Sequence, residues 1–187
     1  MKKSLCKAVT FLLACIFASA GCAGTKTLFD FEKKEELKNV ESCNWREGFT
    51  KDFTFELSDQ FQSNGKSCFK VLLPLSGCPG LKFDTGKLSD WSSFKNLKIY
   101  IENQGNEAVI AYVIAVDESN LKTFEESSPD DFPFFSKKII KTGKNNINVD
   151  LKDFEAAEMK EIKKLIFCIP ERSMDPLPLF IDNIRLE

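Results

Sequence analysis

Apolar and polar residues alternate in short runs along most of the chain, with turn-forming residues between the runs. Clear runs are residues 53–57 (FTFEL), 97–102 (LKIYIE) and 147–151 (INVDL). A period of two places every second side chain on one face of a strand, where the core can cover it. Turn signals separate the runs, among them Asn64-Gly65 and residues 142–146 (TGKNN). The pattern therefore predicts strands joined by tight turns.

The remaining runs extend this prediction to the end of the chain. Residues 108–116 (AVIAYVIAV) are apolar on both faces, so we expect a central strand that is covered on both sides. Residues 153–164 are rich in Glu, Ala and Lys and begin with Asp153, a favourable N-cap, so they are the one predicted helix. The other predicted strands are residues 28–32, 67–73, 81–84, 134–141, 165–169 and 177–186. About ten short strands with one short helix predict an all-β fold, either a β-sandwich or a jelly roll.

The first 21 residues differ from the rest and predict an export signal. Lys2, Lys3 and Lys7 precede an apolar run at residues 8–18 (AVTFLLACIFA), and small residues follow. These are the basic, apolar and small-residue regions of a secretory leader. A membrane span needs about 20 apolar residues, and this run is shorter. We therefore expect residues 1–21 to be a signal peptide, residues 22–27 a tether, and residues 28–187 a single domain.

Two cleavage sites fit the end of this leader. Residues 19–22 (SAGC) resemble a bacterial lipobox, in which Cys22 becomes the lipidated first residue of the mature protein. Residues 18–20 (ASA) also fit an ordinary small-residue site that is cut before Gly21. The lipobox predicts a periplasmic or surface lipoprotein held at the membrane by its lipid anchor alone, since a diacyl group supplies the two chains that stable attachment needs. The ordinary site predicts a secreted protein.

The charge and the missing histidine exclude several classes of function. The three lysines of the leader reduce 26 basic residues to 23, against 28 acidic residues, so the mature chain carries a net charge of −5. Such a chain lacks the basic footprint expected of a protein that binds nucleic acid. Without histidine, Ser-His-Asp and Cys-His catalysis and the usual histidine-containing zinc sites are excluded.

Four cysteines follow Cys22 in the chain. In an oxidising compartment they allow up to two disulfides in three connectivities. Buried thiols are an equally good interpretation, because Cys68 and Cys168 lie in apolar runs. The spacing of Cys43, Cys68, Cys78 and Cys168 matches no CxxC metal motif.

Four segments, in this order, carry a resemblance to a known family. They are residues 28–32 (LFDFE), 63–71 (SNGKSCFKV), 90–97 (DWSSFKNL) and 180–186 (FIDNIRL). Together they resemble the galactose-binding-like jelly rolls that serve as carbohydrate-binding modules in bacterial polysaccharide-degrading systems. The resemblance implies a jelly-roll β-sandwich, a carbohydrate partner, no catalysis and a monomeric chain. Because fold does not determine function, the ligand needs evidence of its own.

Such modules often hold a structural calcium ion where the first strand, an early loop and the last strand meet. The resemblance places Asp30 and Glu32, Asn64 and the carbonyl of Lys66, and Asp182 at these three places. Calcium takes six to eight oxygen ligands of these kinds. Asp182 lies among apolar residues, where an unpaired carboxylate is costly, so it must bind the ion, a lysine or a backbone donor.

Sugar binding in these modules uses aromatic rings that cover the apolar face of a pyranose, with polar groups that bond its hydroxyls. The candidates are Trp45, in a polar stretch, and Tyr100 and Tyr112, on predicted strands. Trp91 lies in the turn-like DWSSF segment, and we expect it to pack against the core.

These features lead to three hypotheses about function. The first is an exported, non-catalytic carbohydrate-binding module, and the second is a structural or protein-interaction lipoprotein that keeps the fold without binding sugar. The third is a hydrolase with paired carboxylates, for which Glu125, Glu126, Asp130 and Asp131 are available. Because these acids cluster in a polar loop, as solvated charges do, we expect the protein not to be an enzyme.

Overall fold

The computed structural model describes residues 24–45, 53–74, 77–121, 135–154, 157–170 and 176–187. Its strands are β1 (Lys26–Phe29), β2 (Val40–Asn44), β3 (Phe55–Ser58), β4 (Cys68–Leu73), β5 (Pro79–Asp84), β6 (Asn96–Asn103), β7 (Val109–Asp117), β8 (Phe135–Ile140), β9 (Gly143–Asp150), β10 (Ile162–Cys168) and β11 (Leu177–Leu186). Two short 3₁₀ helices are Lys34–Asn39 and Leu151–Phe154. The predicted all-β jelly-roll sandwich is confirmed.

The strands form two antiparallel sheets. The six-stranded sheet has the order β3-β4-β11-β6-β9, and β1 also pairs with β11. Along β11, β4 pairs with the first half and β1 with the second half. The five-stranded sheet has the order β2-β5-β10-β7-β8.

The core between the two sheets follows the period-two pattern of the sequence. On β10, Leu165 and Phe167 belong to this core, while Ile166 and Cys168 belong to a second apolar cluster on the outer face of the five-stranded sheet. Phenylalanine rings join the two sheets through the core. The ring centroid of Phe69 on β4 lies 6.1 Å from that of Phe83 on β5 and 5.2 Å from that of Phe31.

The predicted helix at residues 153–164 is wrong. Its start belongs to the 3₁₀ helix Leu151–Phe154, and its last three residues belong to β10. β10 is the central strand of its sheet and pairs with both β5 and β7. This pairing on two sides outweighs the helix propensity of Glu, Ala and Lys, which is weak per residue.

Three further predictions need correction. β2 was not predicted, because its sequence VESCN has no regular alternation. β7 lies inside the five-stranded sheet, between β10 and β8, but the centre of the sheet is β10, and Ile110 on β7 is 40% exposed rather than covered. β1 begins at Lys26, so the last two residues of the predicted tether belong to the domain.

Several other predictions concern the termini and the cysteines. The signal peptide, Cys22 and the acids Glu125, Glu126, Asp130 and Asp131 lie outside the described residues. Across the described part of the chain, no helix has the length and apolar character needed to cross a membrane. The four cysteines beyond Cys22 are all buried, and no disulfide joins any two of them.

Candidate functional site

Trp45 lies on the outer face of the five-stranded sheet, directly after β2. It is half-buried and packs against the second apolar cluster. Its indole passes over Gly80 on β5, where an added Cβ would lie 2.5 Å from Cζ3 of the ring. Glycine at this position therefore allows the indole to approach the backbone of the sheet closely.

Tyr112 on β7 lies on the same outer face. The pairing register aligns Gly80 with Cys168 and Cys168 with Tyr112, so one row of residues crosses the sheet from β5 to β7. The Tyr112 ring stacks on Phe135 of β8, with centroids 4.4 Å apart and an interplanar angle of 28°. Both rings are half-buried, so each keeps part of its surface accessible.

Phe135 is the member of this face that the sequence analysis missed. It opens β8 and pairs with Ile114 of β7 in the sheet register. The alternation of the predicted strand at residues 134–141 contained the signal, because Phe135 is in phase with the exposed residues Lys137 and Ile139. Together, Trp45, Tyr112 and Phe135 form what we call the aromatic face.

Beneath and beside the aromatic face, the sheet supplies an apolar floor and charged neighbours. The floor consists of buried residues of the second cluster, namely Cys78, Ile114, Val116, Ile166 and Cys168. The exposed Lys137 on β8 pairs with Tyr112 in the sheet register. Farther along β10, Lys164 Nζ lies 3.5 Å from Glu41 Oε1 on β2. The surface thus combines aromatic rings with groups that bond polar ligands.

Tyr100, the third predicted ligand residue, lies elsewhere. It is on β6, on the outer face of the six-stranded sheet, and is only 8% exposed. Its hydroxyl donates a hydrogen bond to Glu102 Oε2 at 3.1 Å. The structure therefore brings Trp45 and Tyr112 to one face and places Tyr100 on the opposite side of the sandwich.

The residues predicted to bind calcium surround a loop between β3 and β4. Asp182 on β11 is fully buried, and its Oδ2 accepts hydrogen bonds from Ser63 N and Ser63 Oγ, both at 2.8 Å, and from Asn64 N at 3.1 Å. Glu32 Oε1 accepts hydrogen bonds from Lys66 N at 2.8 Å and Ser67 N at 3.0 Å. The two carboxylates thus hold the two ends of residues 63–67.

These contacts fit direct anchoring of the loop better than they fit calcium. The groups that meet the carboxylates are N–H and O–H donors, whereas calcium needs six to eight oxygen ligands. The Lys66 carbonyl accepts a bond from Gln62 Nε2 at 3.3 Å, and Asp30 Oδ1 accepts one from Glu32 N. Within the described residues, no three Cys, Asp or Glu side chains converge on one point where a metal ion would sit. The calcium ion stays a prediction, which the melting behaviour in calcium and in chelator tests.

Raising the pH from 8 to 11 is expected to destabilise the native protein in part through Cys68 and Tyr100. Burial, reinforced by Asp182 and Asp59, raises the pKa of Cys68 from 9.0 to about 12, and burial with the hydrogen bond to Glu102 raises the pKa of Tyr100 from 10.0 to about 12. The unfolded chain therefore loses these protons at lower pH than the native chain, and stability falls as the pH rises through this window.

The measurement is the thermal midpoint at pH 8 and pH 11 for the wild type and for the double variant Cys68→Ala/Tyr100→Phe. The double variant cannot ionise at these positions, so its midpoint should fall less between the two pH values. An equal fall of the midpoint in both proteins would contradict the assignment of this effect to Cys68 and Tyr100. Lys144→Ala, a substitution of an exposed residue on β9, serves as the control.

Solved structures of known proteins share this fold. A family 11 carbohydrate-binding module from Clostridium thermocellum, in complex with a β-1,3-1,4-mixed-linked tetrasaccharide, aligns with a TM-score of 0.62 at 15% identity, covering 87% of this chain and 95% of that one. A family 30 module of a cellulosomal cellulase from the same organism aligns with a TM-score of 0.56 at 11% identity, covering 88% and 97%.

The fold also occurs as part of larger proteins. An agarase aligns with a TM-score of 0.61 at 13% identity over 88% of this chain, which corresponds to 24% of the agarase. No family model and no curated protein sequence matches the chain. At these identities the comparisons show a shared jelly-roll fold, so the ligand must be argued from the aromatic face itself.

Proposed function

We propose that the protein is an exported, non-catalytic carbohydrate-binding module that binds an oligosaccharide or polysaccharide on the aromatic face. The observation that carries this proposal is the presence of three half-buried aromatic residues, Trp45, Tyr112 and Phe135, on one sheet face. The similar structures support it, because two of them are carbohydrate-binding modules and one has a tetrasaccharide bound.

The chemistry of the face suits a pyranose ring. The C–H groups on one side of such a ring pack against aromatic rings, while its hydroxyls need hydrogen-bond partners at the edge. The Tyr112–Phe135 stack and the indole of Trp45 supply the first, and Lys137, which pairs with Tyr112 in the sheet register, supplies the second. These are binding groups, and the proposal assigns no chemical step to them.

Export and membrane attachment of the protein are part of the same proposal, and both rest on the sequence. The leader at residues 1–21 directs export, and Cys22 carries a lipid that holds the module at the cell envelope. Mass spectrometry of the mature N-terminus tests this assignment. A diacylated Cys22 is the expected result, and an unmodified N-terminus at Gly21 would mean a secreted protein.

A second candidate function is contact with a protein partner, and one observation favours it. Ile110 and Ile139 pair across β7 and β8 on the outer face and are 40% and 62% exposed. Exposed aliphatic pairs of this kind suit a protein interface better than a sugar ring. Binding to another envelope component that is lost in Ile139→Lys, with no retention by any glycan, would favour this candidate.

Affinity electrophoresis in gels containing mixed-linked β-glucan, cellulose derivatives or agarose tests the proposed function. The wild type should be retarded by at least one polysaccharide, and Tyr112→Ala or Trp45→Ala should weaken binding about tenfold, the loss expected for one stacking ring. Phe61→Ala is the matched control, because Phe61 is an exposed aromatic residue that packs on Phe180 of the other sheet. Absence of retardation across the panel would contradict sugar binding.

A further inference from the structure

A groove of about 340 Å³ lies on the outer face of the six-stranded sheet, on the side of the sandwich away from the aromatic face. Strands β6, β9 and β11 and the loop held by Asp182 form its walls. Its lining includes Ser63, Tyr100, Asn146, Asn148, Asn183 and Arg185. We call it the asparagine groove, because three of these side chains are amides.

The backbone is deformed where β11 contributes Asn183. The register of β11 against β6 shifts between Asp182 and Arg185, and Asn183 has a positive φ of 50°. Positive φ is uncommon for residues other than glycine, although asparagine tolerates it better than most. Such bulges turn a side chain away from the regular face of a strand and are over-represented next to functional sites.

The three amides in the groove have unused hydrogen-bonding groups. Among the described residues, the side chains of Asn146 and Asn183 make no hydrogen bond, and Asn148 uses only its Nδ2, which donates to Asn96 Oδ1 at 3.1 Å. A free amide offers two donor hydrogens and an acceptor oxygen side by side. Neighbouring hydroxyls of a sugar ring present the complementary set of acceptors and donors.

The two cations near the groove share one carboxylate. Glu187 Oε2 lies 2.5 Å from Lys98 Nζ, and Glu187 Oε1 accepts a hydrogen bond from Arg185 Nε at 2.7 Å. The hydrogen bonds from Lys98 and then Arg185 lower the pKa of the Glu187 carboxyl, so it stays ionised. Both cations of the groove are thus engaged by the side chain of Glu187, and the amides remain to recognise a ligand without charge.

From this arrangement we propose that the asparagine groove is a second binding site, which takes a neutral saccharide independently of the aromatic face. Asn146, Asn148 and Asn183 bond the hydroxyls of the sugar, and the nearly buried Tyr100 is part of the groove lining. Because the two sites are on opposite sides of the sandwich, one module can bind two glycan segments at once. Such bivalence raises retention on a polysaccharide that reaches both sites.

The test is a titration followed by two-dimensional NMR of backbone and side-chain amides. The probes are the β-1,3-1,4-mixed-linked tetrasaccharide, cellotetraose and neoagarotetraose, with a galacturonate tetramer as the charged comparison. The proteins are the wild type, Tyr112→Ala, Asn146→Ala and Asn183→Gly. Glycine keeps the positive φ of Asn183 while removing its amide, so this variant tests binding without straining the bulge.

The expected result is that a neutral probe shifts the side-chain amide signals of Asn146 and Asn183 in both the wild type and Tyr112→Ala. Asn146→Ala and Asn183→Gly should each weaken that binding about fivefold, the loss expected for one or two hydrogen bonds, whereas Lys144→Ala on the same strand should not. Shifts confined to the aromatic face would overturn the second site and leave the proposed function standing. Shifts confined to the groove would support the second site and count against the aromatic face.

Two other results would overturn the inference. One is an unchanged affinity at the groove in both Asn146→Ala and Asn183→Gly, because the amides would then carry no recognition. The other is tighter binding of the galacturonate tetramer than of the neutral probes, because Lys98 and Arg185 would then be available to an external carboxylate.

Discussion

Replacing Asp182 by alanine is expected to lower the free energy of unfolding by about 3–5 kcal/mol. The carboxylate is fully buried and accepts hydrogen bonds from Ser63 N, Ser63 Oγ, Asn64 N and, through Oδ1, Asn183 N at 2.7 Å. Without it, these donors lose a charged acceptor and the space of the buried carboxylate is left empty, and each hydrogen bond to a charged group contributes about 1.5–3 kcal/mol. Urea unfolding followed by circular dichroism measures the change.

Two companion measurements identify the cause of this loss. Asp182→Asn keeps one oxygen and the shape of the side chain, so we expect a smaller loss of about 1–2 kcal/mol. Unfolding in calcium and in chelator separates direct anchoring from a bound ion. If Asp182→Ala loses the same free energy of unfolding with calcium and with chelator, anchoring by N–H donors is supported. If calcium instead raises the unfolding midpoint of the wild type but not that of Glu32→Ala, the predicted ion is confirmed.

The loop that Asp182 holds also joins several parts of the fold. Ser67 Oγ donates to the carbonyl of Phe31 at 2.6 Å, and Phe61 packs on Phe180 with ring centroids 4.8 Å apart. Gly65 has a positive φ of 78°, and an added Cβ there would collide with Glu32 Oε1. Loss of the anchor therefore loosens contacts to the segment after β1 and to β11, which is why the expected effect exceeds that of an ordinary surface loop.

The sequence predicted the sheets better than it predicted the connections between them. Alternation marks a strand with one face in the core, so β6 and β11 were predicted nearly residue by residue. Only the second half of β9 was predicted, because residues 143–146 have the composition of a turn although they pair with β6. The segment at 153–164 failed because its local composition favours a helix, while the pairing of Ile162–Cys168 with strands far away in the chain decides its structure. No pattern in the local sequence predicts pairing between strands that are far apart in the chain.

The candidate site could be predicted only in part, for a related reason. The aromatic residues could be recognised by type, and Trp45 and Tyr112 do lie on one face. Which face each strand residue occupies depends on sheet order and register, and these place Tyr100 on the other sheet. Likewise, the resemblance predicted Glu32 and Asp182 as calcium ligands where the first strand, an early loop and the last strand meet. The backbone donors of residues 63–67 that contact these carboxylates have no signal in the sequence.

Trp91→Ala is expected to lower the free energy of unfolding by about 3–5 kcal/mol, as truncations of large buried aromatic residues do. As predicted, the indole is fully buried in the core. Its Nε1 donates to the Leu88 carbonyl at 2.7 Å, and its backbone N donates to the Met159 carbonyl at 2.7 Å. Trp91 thus joins the segment before β6 to the segment before β10, and its removal leaves a cavity where the two segments meet.

Trp91→Phe separates packing from hydrogen bonding at this position. Phenylalanine keeps an aromatic ring in the core but leaves the Leu88 carbonyl without its donor, so we expect a loss of about 1–2 kcal/mol. Trp45→Phe is the matched control, because Trp45 is half-buried on the aromatic face and its substitution should change stability by less. If Trp91→Ala and Trp45→Ala lower the free energy of unfolding in urea by the same amount, the role of Trp91 in joining the two segments is contradicted. If instead Trp91→Ala destabilises the fold while Trp45→Ala mainly weakens glycan binding, Trp91 stabilises the core and Trp45 binds the ligand.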